Sequence, residues 1–419
     1  MTRKDFEIMA PVGSFESLMA AIQGGADSIY FGIEKLNMRS RSSNNFTTED
    51  LKNIVSICNE NNIKSYLTLN VIVYDEDIKL MKEIVDAAKE SGVSAIIASD
   101  VAVMIYANKI GVEVHLSTQL NITNIEALKF YAQFADVVVL ARELNLDQTA
   151  HIYKQITEQN ICGPKGEQIR IEMFCHGALC MAVSGKCYLS LHEMNASANR
   201  GACMQICRRS FTVTDNELGI ELAVDNENIM SPKDLKTIHF LNKMIDSGVR
   251  VFKIEGRARS AEYVKTTCEC YNEAINSYID STFTDEKIEN WNNRLKKVFN
   301  RGFWNGYYLG QQLGEWSANY GSNATHKKMY VAKGIKYFSN IGVAEFFVEA
   351  QSVKVGDEIL IIGPTTGVIE TTVTEIQVNH KSVQEAVKGQ SFSIPLKEKI
   401  RPSDKLYKWV EASEVDDSQ

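Results

Sequence analysis

Ser28-Ile29-Tyr30-Phe31-Gly32 and Ser65-Tyr66-Leu67-Thr68-Leu69-Asn70-Val71 bracket a segment in which Leu51, Ile54, Val55 and Cys58 recur at three- and four-residue spacing. Two short apolar runs with an amphipathic helix between them read as a βαβ unit, and continuous apolar strands imply a parallel sheet covered on both faces. Outward from this unit, similar runs occur at Phe6–Ala10, Ala95–Asp100, Glu113–Ser117, Asp136–Leu140, Arg170–Phe174 and Arg250–Glu255. Ser14 and Ser17 before Leu18 and Met19 mark a helix start after the first run. Eight alternations predict an α/β fold, a closed (β/α)₈ TIM-like barrel spanning 1–310, with a cysteine-rich insertion at about 175–235 before the last strand. An open doubly wound sheet is the alternative.

Beyond a linker at 311–325 the pattern changes to short strands and turns, with Gly356-Asp357 and Gly363-Pro364 as turn signals. This predicts a small C-terminal all-β barrel at 326–410, followed by an acidic tail at 411–419. Residues 326–410 hold twelve Lys/Arg against nine Asp/Glu, a net of +3, whereas 1–325 carry −7 and the tail −4, together the −8 of the chain. The basic residues Lys327, Lys328, Lys333, Lys336, Lys397, Lys399, Arg401, Lys405 and Lys408 could form a phosphate-facing strip or a solvated surface.

The 419 residues are 44% hydrophobic and 23% charged, with six prolines, which excludes a collagenous or disordered chain. No run approaches the length of a membrane span, and Asp5 and Glu7 stand where a signal peptide needs its apolar segment, so a cytoplasmic location without membrane contact is expected. In that reducing compartment nine cysteines suggest metal or redox chemistry rather than a disulfide framework.

A barrel of this class carries its active site at the carboxyl ends of the strands. Glu16, Arg39, Asn70, Asp100, Gln119, Asn121, Arg142, Glu143, His176, Glu255 and Arg257 fall there. In Lys253-Ile254-Glu255-Gly256-Arg257, strand alternation puts Lys253 and Glu255 on one face, where charge must be paired or meet a ligand. His176 and Glu255 are candidates for proton transfer, with Lys253 and Arg257 beside them. Glu16, Arg39, Asn70, Arg142 and Arg208 are candidates for substrate binding.

Five of the nine cysteines fall within 33 residues: Cys175, Cys180, Cys187, Cys203 and Cys207, interleaved with glycines. Four thiolates hold either zinc or an iron–sulfur cluster, and the wide gaps favour the cluster over paired zinc knuckles. Disulfides or plain buried thiols are the third possibility. His192-Glu193 lacks the second histidine of a zinc-protease helix, and no G-x-S-x-G, P-loop or G-x-G-x-x-G stretch is present. Ser210 stands where a radical S-adenosylmethionine motif would need a third cysteine.

Glu172-x-Phe174-x₂-Gly177-Ala178-Leu179-Cys180-x₄-Gly185-x-Cys187-x-Leu189-Ser190 resembles the signature of the U32 collagenase-like peptidase family. Ala10–Ser14, Gly25–Gly32, Asn199–Arg208, Ser231–Leu235 and Lys253–Arg257 resemble its other motifs. The resemblance implies an iron–sulfur protein for oxygen-independent hydroxylation, with several members acting on tRNA uridine, ribosomal RNA cytidine or ubiquinone precursors. Length and the last domain, similar to a translation-factor β-barrel, match the tRNA type, which implies tRNA as partner, 5-hydroxyuridine at the wobble position as product and prephenate as the small-molecule hydroxyl donor. Carried over by position, Cys180, Cys187 and Cys203 correspond to cluster ligands of a [4Fe–4S] centre, with Cys207 taken over Cys175 as the fourth. A true peptidase, and an RNA-binding factor with structural zinc (Zn), are the competing readings.

Overall fold

The computed structural model describes residues 1–41, 45–222, 228–310, 313–318 and 321–414. Eight parallel strands form the barrel: β1 (Glu7–Pro11), β2 (Ser28–Phe31), β3 (Lys64–Leu69), β4 (Ala95–Ala98), β5 (Val114–Leu116), β6 (Val137–Val139), β7 (Arg170–Gly177) and β8 (Val249–Ile254). Each pairs with the next, and β8 pairs with both β7 and β1, with Lys253 opposite Phe174 on one side and Met9 on the other. The sheet is therefore closed, and the open alternative is excluded.

Alternation decides what each strand residue touches. Met9, Tyr30, Tyr66, Ala95, Ile97, Val137 and Val251 point inward and fill the barrel as one cluster. Their neighbours Ile8, Ala10, Ile29, Phe31, Phe252 and Ile254 point outward under the helices. Those helices are α1 (Phe15–Gln23), α2 (Asp50–Glu60), α3 (Ile78–Ser91), α4 (Val101–Ile110), α5 (Ile125–Ala132) and α6 (Leu146–Glu158). The Ser14 side chain caps α1 by accepting from the Ser17 N–H, as the sequence predicts.

The β7-to-β8 connection departs from the repeat. It holds α7 (Leu189–Met194), a short strand Asp234–Lys236 antiparallel to the end of β7, and α8 (Leu241–Asp246). After β8 come α9 (Ala261–Ile279) and α10 (Asp285–Lys297). No helix among the described residues is long and apolar enough to cross a membrane.

The C-terminal unit contains β9 (His326–Phe338), β10 (Val343–Val348), β11 (Glu358–Gly363), β12 (Gly367–Thr372), β13 (Ile376–Val378), β14 (Lys381–Val383), β15 (Ser391–Pro395) and β16 (Lys405–Glu411). They form one antiparallel sheet in the order β12-β11-β16-β9-β10-β15-β13-β14, folded over a core that includes Val331, Phe346, Ile361, Phe392 and Leu406. The unit docks on the outer helices: Gln23 of α1 donates to the Thr366 carbonyl and accepts from the Val368 N–H, while Lys328 pairs with Glu262 of α9 at 3.0 Å. Of the basic strip, Lys328, Lys333 and Lys408 are committed to ion pairs. Glu411 closes β16, and the remaining acids of the tail are Glu414, Asp416 and Asp417, of which the two aspartates lie outside the described residues.

Candidate active site

At the carboxyl ends of the strands lies a cavity of about 190 Å³ whose walls are the barrel mouth and the cysteine-rich insertion. Its floor is charged. Lys253 of β8 donates to Glu172 of β7 at 2.7 Å, both side chains being almost wholly buried. The second Glu172 oxygen has no hydrogen-bond partner. The Lys253 ammonium also lies 4.8 Å from the centre of the Tyr30 ring. The requirement that charge inside the barrel be paired is thus met by a residue of the adjacent strand.

Above this pair, the Glu255 carboxylate accepts from the Tyr30 hydroxyl and from Arg39, each at 3.0 Å. Burial would raise its pKa, but Arg39, Arg257 and the Tyr30 hydrogen bond outweigh burial and hold the carboxyl below its ordinary value. Burial pulls Arg257 down to about 10, and it donates to Asn37 and Thr68. The turn that presents Glu255 needs Gly177, whose φ is +104° and where a Cβ would sit 2.2 Å from the Glu255 carbonyl oxygen.

Cys180, Cys187, Cys203 and Cys207 all line the same cavity from the insertion side. Burial raises the Cys207 thiol, and the other three thiols add to that shift while Arg208 opposes it. Arg208 ties the lid down by donating to the Leu179 and Pro232 carbonyls and to Ser231. Arg142 donates to Ser184 at 2.6 Å, and the Met204 N–H donates to Ser190. Gly201, with φ of +85°, passes so close to the loop after β2 that a Cβ would meet the Asn37 carbonyl at 2.3 Å. All nine cysteines are free thiols in this structure. Among the described residues no three His, Cys, Asp or Glu side chains are gathered tightly enough for one metal ion. Four thiols lining one cavity are a donor set suited to thiolate ligation of an iron–sulfur cluster or of zinc.

The cavity therefore collects Arg39, Asn70, Arg142, Arg208, Lys253, Glu255, Arg257 and the four cysteines of the lid. Asn70 accepts from the Met38 N–H and donates to Ser117. Of the eleven residues expected at the mouth, Asp100, Asn121 and Glu143 do not line the cavity, and two of the candidates for binding or proton transfer lie elsewhere. Glu16 is on α1, where its charge reaches Tyr407 of the C-terminal unit. His176 is buried outside the barrel among the rings of Tyr263, Tyr271 and Phe303. The cause is a bulge between Phe174 and His176 in the pairing with β8. One extra residue reverses the alternation, so Glu172 and Phe174 face the cavity side and His176 does not. Burial, with Lys236 and Arg259 nearby, lowers the His176 pKa to about 3. Cys175, the bulged residue, is buried against the Lys253 carbonyl and is not in the cavity.

Tyr30, Thr68, Ser117 and Gln119 line the cavity without having been singled out as site residues, although Gln119 had been placed at the mouth. For Tyr30 the signal was present: it shares the inward parity of Tyr66, its partner in register, one position before the end of β2.

Residues 13–318 match the sequence profile of Peptidase family U32. The chain is 66% identical, over 99% of its length and 100% of the relative's, to a protein of Porphyromonas gingivalis named "Collagenase". It is 29% identical, over 96% of its length and 94% of the relative's, to "tRNA hydroxylation protein P1" of Bacillus subtilis. It is 34% identical to "23S rRNA 5-hydroxycytidine C2501 synthase" of Escherichia coli, over 65% of its own length and 40% of that longer protein.

Proposed function

The chain belongs to peptidase family U32, and from that premise we propose that it is a cytoplasmic enzyme that hydroxylates RNA without molecular oxygen. Its substrate in this reading is wobble uridine of tRNA, its product 5-hydroxyuridine, and prephenate its hydroxyl donor. The observation that carries the reading is the meeting of Cys180, Cys187, Cys203 and Cys207 with Arg39, Arg142 and Glu255 in one cavity. The four thiolates would hold a [4Fe–4S] cluster, which when bound would supply single-electron transfer: a C–O bond of the donor breaks to deliver hydroxide, and the two electrons lost as C5–H becomes C5–OH pass one at a time to an external electron acceptor.

The chain's own groups do the rest. A guanidinium offers five N–H donors in a fork that matches a carboxylate, so Arg142 has donors beyond the one given to Ser184 to orient a dianionic donor molecule. Asn70, Ser117 and Gln119 offer amide and hydroxyl groups to a base edge. Glu255, held ionised by Arg39 and Arg257, accepts the C5 proton at its carboxylate. A wobble base lies in a single-stranded loop, so its extrusion into such a cavity costs less than from a duplex.

The test is anaerobic purification with iron, sulfide and zinc analysis, then nucleoside mass spectrometry of RNA from a deletion strain carrying wild type or Cys187→Ala. About four irons and four sulfides per chain, and loss of hydroxylated uridine with the variant, are expected. Zinc without sulfide, or unchanged nucleosides in the deletion strain, overturns the proposal. A second reading, peptidase, is favoured by the name of the 66% identical relative. Against it, no histidine lines the cavity among the described residues to activate a serine or cysteine there. Cleavage of gelatin by the purified protein, with no nucleoside change in the deletion strain, would establish that reading instead.

A further inference from the structure

Large apolar side chains left in water gather around the lid. Among the described residues, seventeen are exposed, and five of them, Met181, Val183, Tyr188, Met194 and Met204, lie within the 24 residues 181–204. Tyr188 is the most exposed aromatic of that set at 74%. It sits between Cys187 and Leu189, both of which line the cavity, and its own ring is turned to solvent. Two more, Ile72 and Tyr74, belong to the loop after β3, which is stitched to the lid by the Ile72 N–H donating to the Asn199 carbonyl. The Arg200 guanidinium lies over the Tyr74 ring at 3.9 Å and is anchored by Asp77.

The charge of the lid segment is one-sided, whereas the loop bearing Tyr74 carries Asp75, Glu76 and Asp77, the last of them paired with Arg200. Residues 178–209 contain Lys186, Arg200, Arg208 and Arg209 against Glu193 alone, a net of +3 in a chain whose total is −8. Aromatic faces, thioethers and cations with almost no acid suit stacked bases joined by phosphates, and suit an acidic or basic protein surface less well. Resting on the RNA-hydroxylation reading, we propose that the lid carries a stacking platform. Tyr188 receives an unpaired base of a single-stranded RNA loop while a neighbouring nucleotide enters the cavity. Lys186 and Arg209 neutralise the phosphates between them.

The experiment is fluorescence anisotropy with the full chain, purified anaerobically, and two labelled probes: a stem-loop RNA with uridine in its loop and a fully paired duplex of the same composition. Tyr188→Ala is expected to weaken stem-loop binding about tenfold while Tyr188→Phe stays within about twofold. The salt dependence should keep the wild-type slope in Tyr188→Ala and flatten in Lys186→Gln/Arg209→Gln, because stacking releases no counterions. Phe130→Ala, an exposed ring on α5, serves as the control for loss of an exposed aromatic and should change nothing. Equal stem-loop binding by wild type and Tyr188→Ala overturns the platform and leaves the hydroxylase reading standing. No binding of either probe by wild type overturns both. Capture of a collagen-like peptide lost in Tyr188→Ala, with RNA binding unaffected, assigns the rim to a protein partner and likewise overturns the platform.

Discussion

At the amino-terminal end of the barrel, the Glu7 carboxylate accepts from Tyr66 at 2.7 Å, from Arg170 at 3.0 Å and from Lys64 at 3.4 Å. At the carboxyl end, Glu255 accepts from Tyr30 and Arg39 at the wall of a cavity. The chemistry of the two sites is nearly the same: a carboxylate, a tyrosine hydroxyl and cations supplied by other strands or, for Arg39, by the turn after β2. What differs is enclosure. Burial would raise the Glu7 carboxyl, but Lys64, Arg170 and His115 bring it down to about 2, and it does not line the upper cavity. The lower site is thus a saturated network that fixes strand register, whereas the upper one offers its charges to an incoming molecule. In a barrel the lower face serves stability and the upper face serves chemistry.

The change expected to break this contrast most severely is Lys253→Ala, because Lys253 belongs to both worlds. It is buried like the lower network yet lines the cavity. Its loss leaves Glu172 fully buried with no cation and one oxygen already unpartnered. A drop of about 3–5 kcal/mol in unfolding free energy is expected, together with loss of hydroxylated nucleoside in the complemented deletion strain. Restoring much of that stability in Lys253→Met/Glu172→Leu, read from urea midpoints, would show that the isolated charge and not the lost volume is responsible. Full stability in Lys253→Ala alone would refute the account.

A pair of single changes sharpens the contrast at smaller cost. Glu7→Gln should lower stability by about 2–3 kcal/mol while sparing product formation, since it strands the partly exposed Arg170 and Lys64. Glu255→Gln should do the reverse, costing about 1 kcal/mol or less in the melt and about a hundredfold in single-turnover rate. The depressed Glu7 pKa also fixes a pH window. A carboxyl at about 2 when folded and 4.5 when unfolded stabilises fully above pH 4.5, and that contribution is lost as pH falls from 4.5 toward 2. Glu7→Gln should flatten the acid limb of the stability curve in that window, and an unchanged limb would contradict the network.

Much of this architecture was readable from residue order. Parallel barrel strands are covered on both faces, so each appears as an unbroken apolar run; seven of the eight runs end within two residues of the observed strands, and Arg170–Phe174 stops three short of Gly177. Parity alone put Lys253 and Glu255 on the inward face, and spacing alone singled out the lid cysteines. What order could not show was the partner of each charge, because Glu172 and Arg39 come from distant strands and loops whose pairing only closure of the barrel fixes. Tyr30 carries no separate signal for the same reason, standing as one of three apolar residues in the run Ser28–Gly32. Parity failed at His176 because a bulge leaves no mark in sequence: Glu172, Phe174 and His176 look like successive inward positions until the pairing with β8 slips by one.

That slip yields an effect confined to acid pH and the cleanest contrast with Glu7. His176 is a base whose folded pKa is lowered to about 3 from an ordinary 6.5 by burial first, then by Lys236 and Arg259. The unfolded chain therefore binds a proton below pH 6.5 that the folded chain refuses until about pH 3, so stability falls as pH is lowered through that interval. One proton corresponds to a slope of about 1.4 kcal/mol per pH unit. His176→Phe, placed among the rings of Tyr263, Tyr271 and Phe303, should remove that slope between pH 6 and 5, where Glu7 does not yet titrate. At neutral pH it should cost no more than about 1–2 kcal/mol of repacking. It should leave the pH dependence of single-turnover hydroxylation unmoved, since the ring touches no wall of the cavity. If instead the acidic limb of that rate profile shifts in His176→Phe, the imidazole reaches the reacting base in a state with the β7 bulge closed, and the division of the barrel into an inner reactive face and an outer packing face fails at that strand.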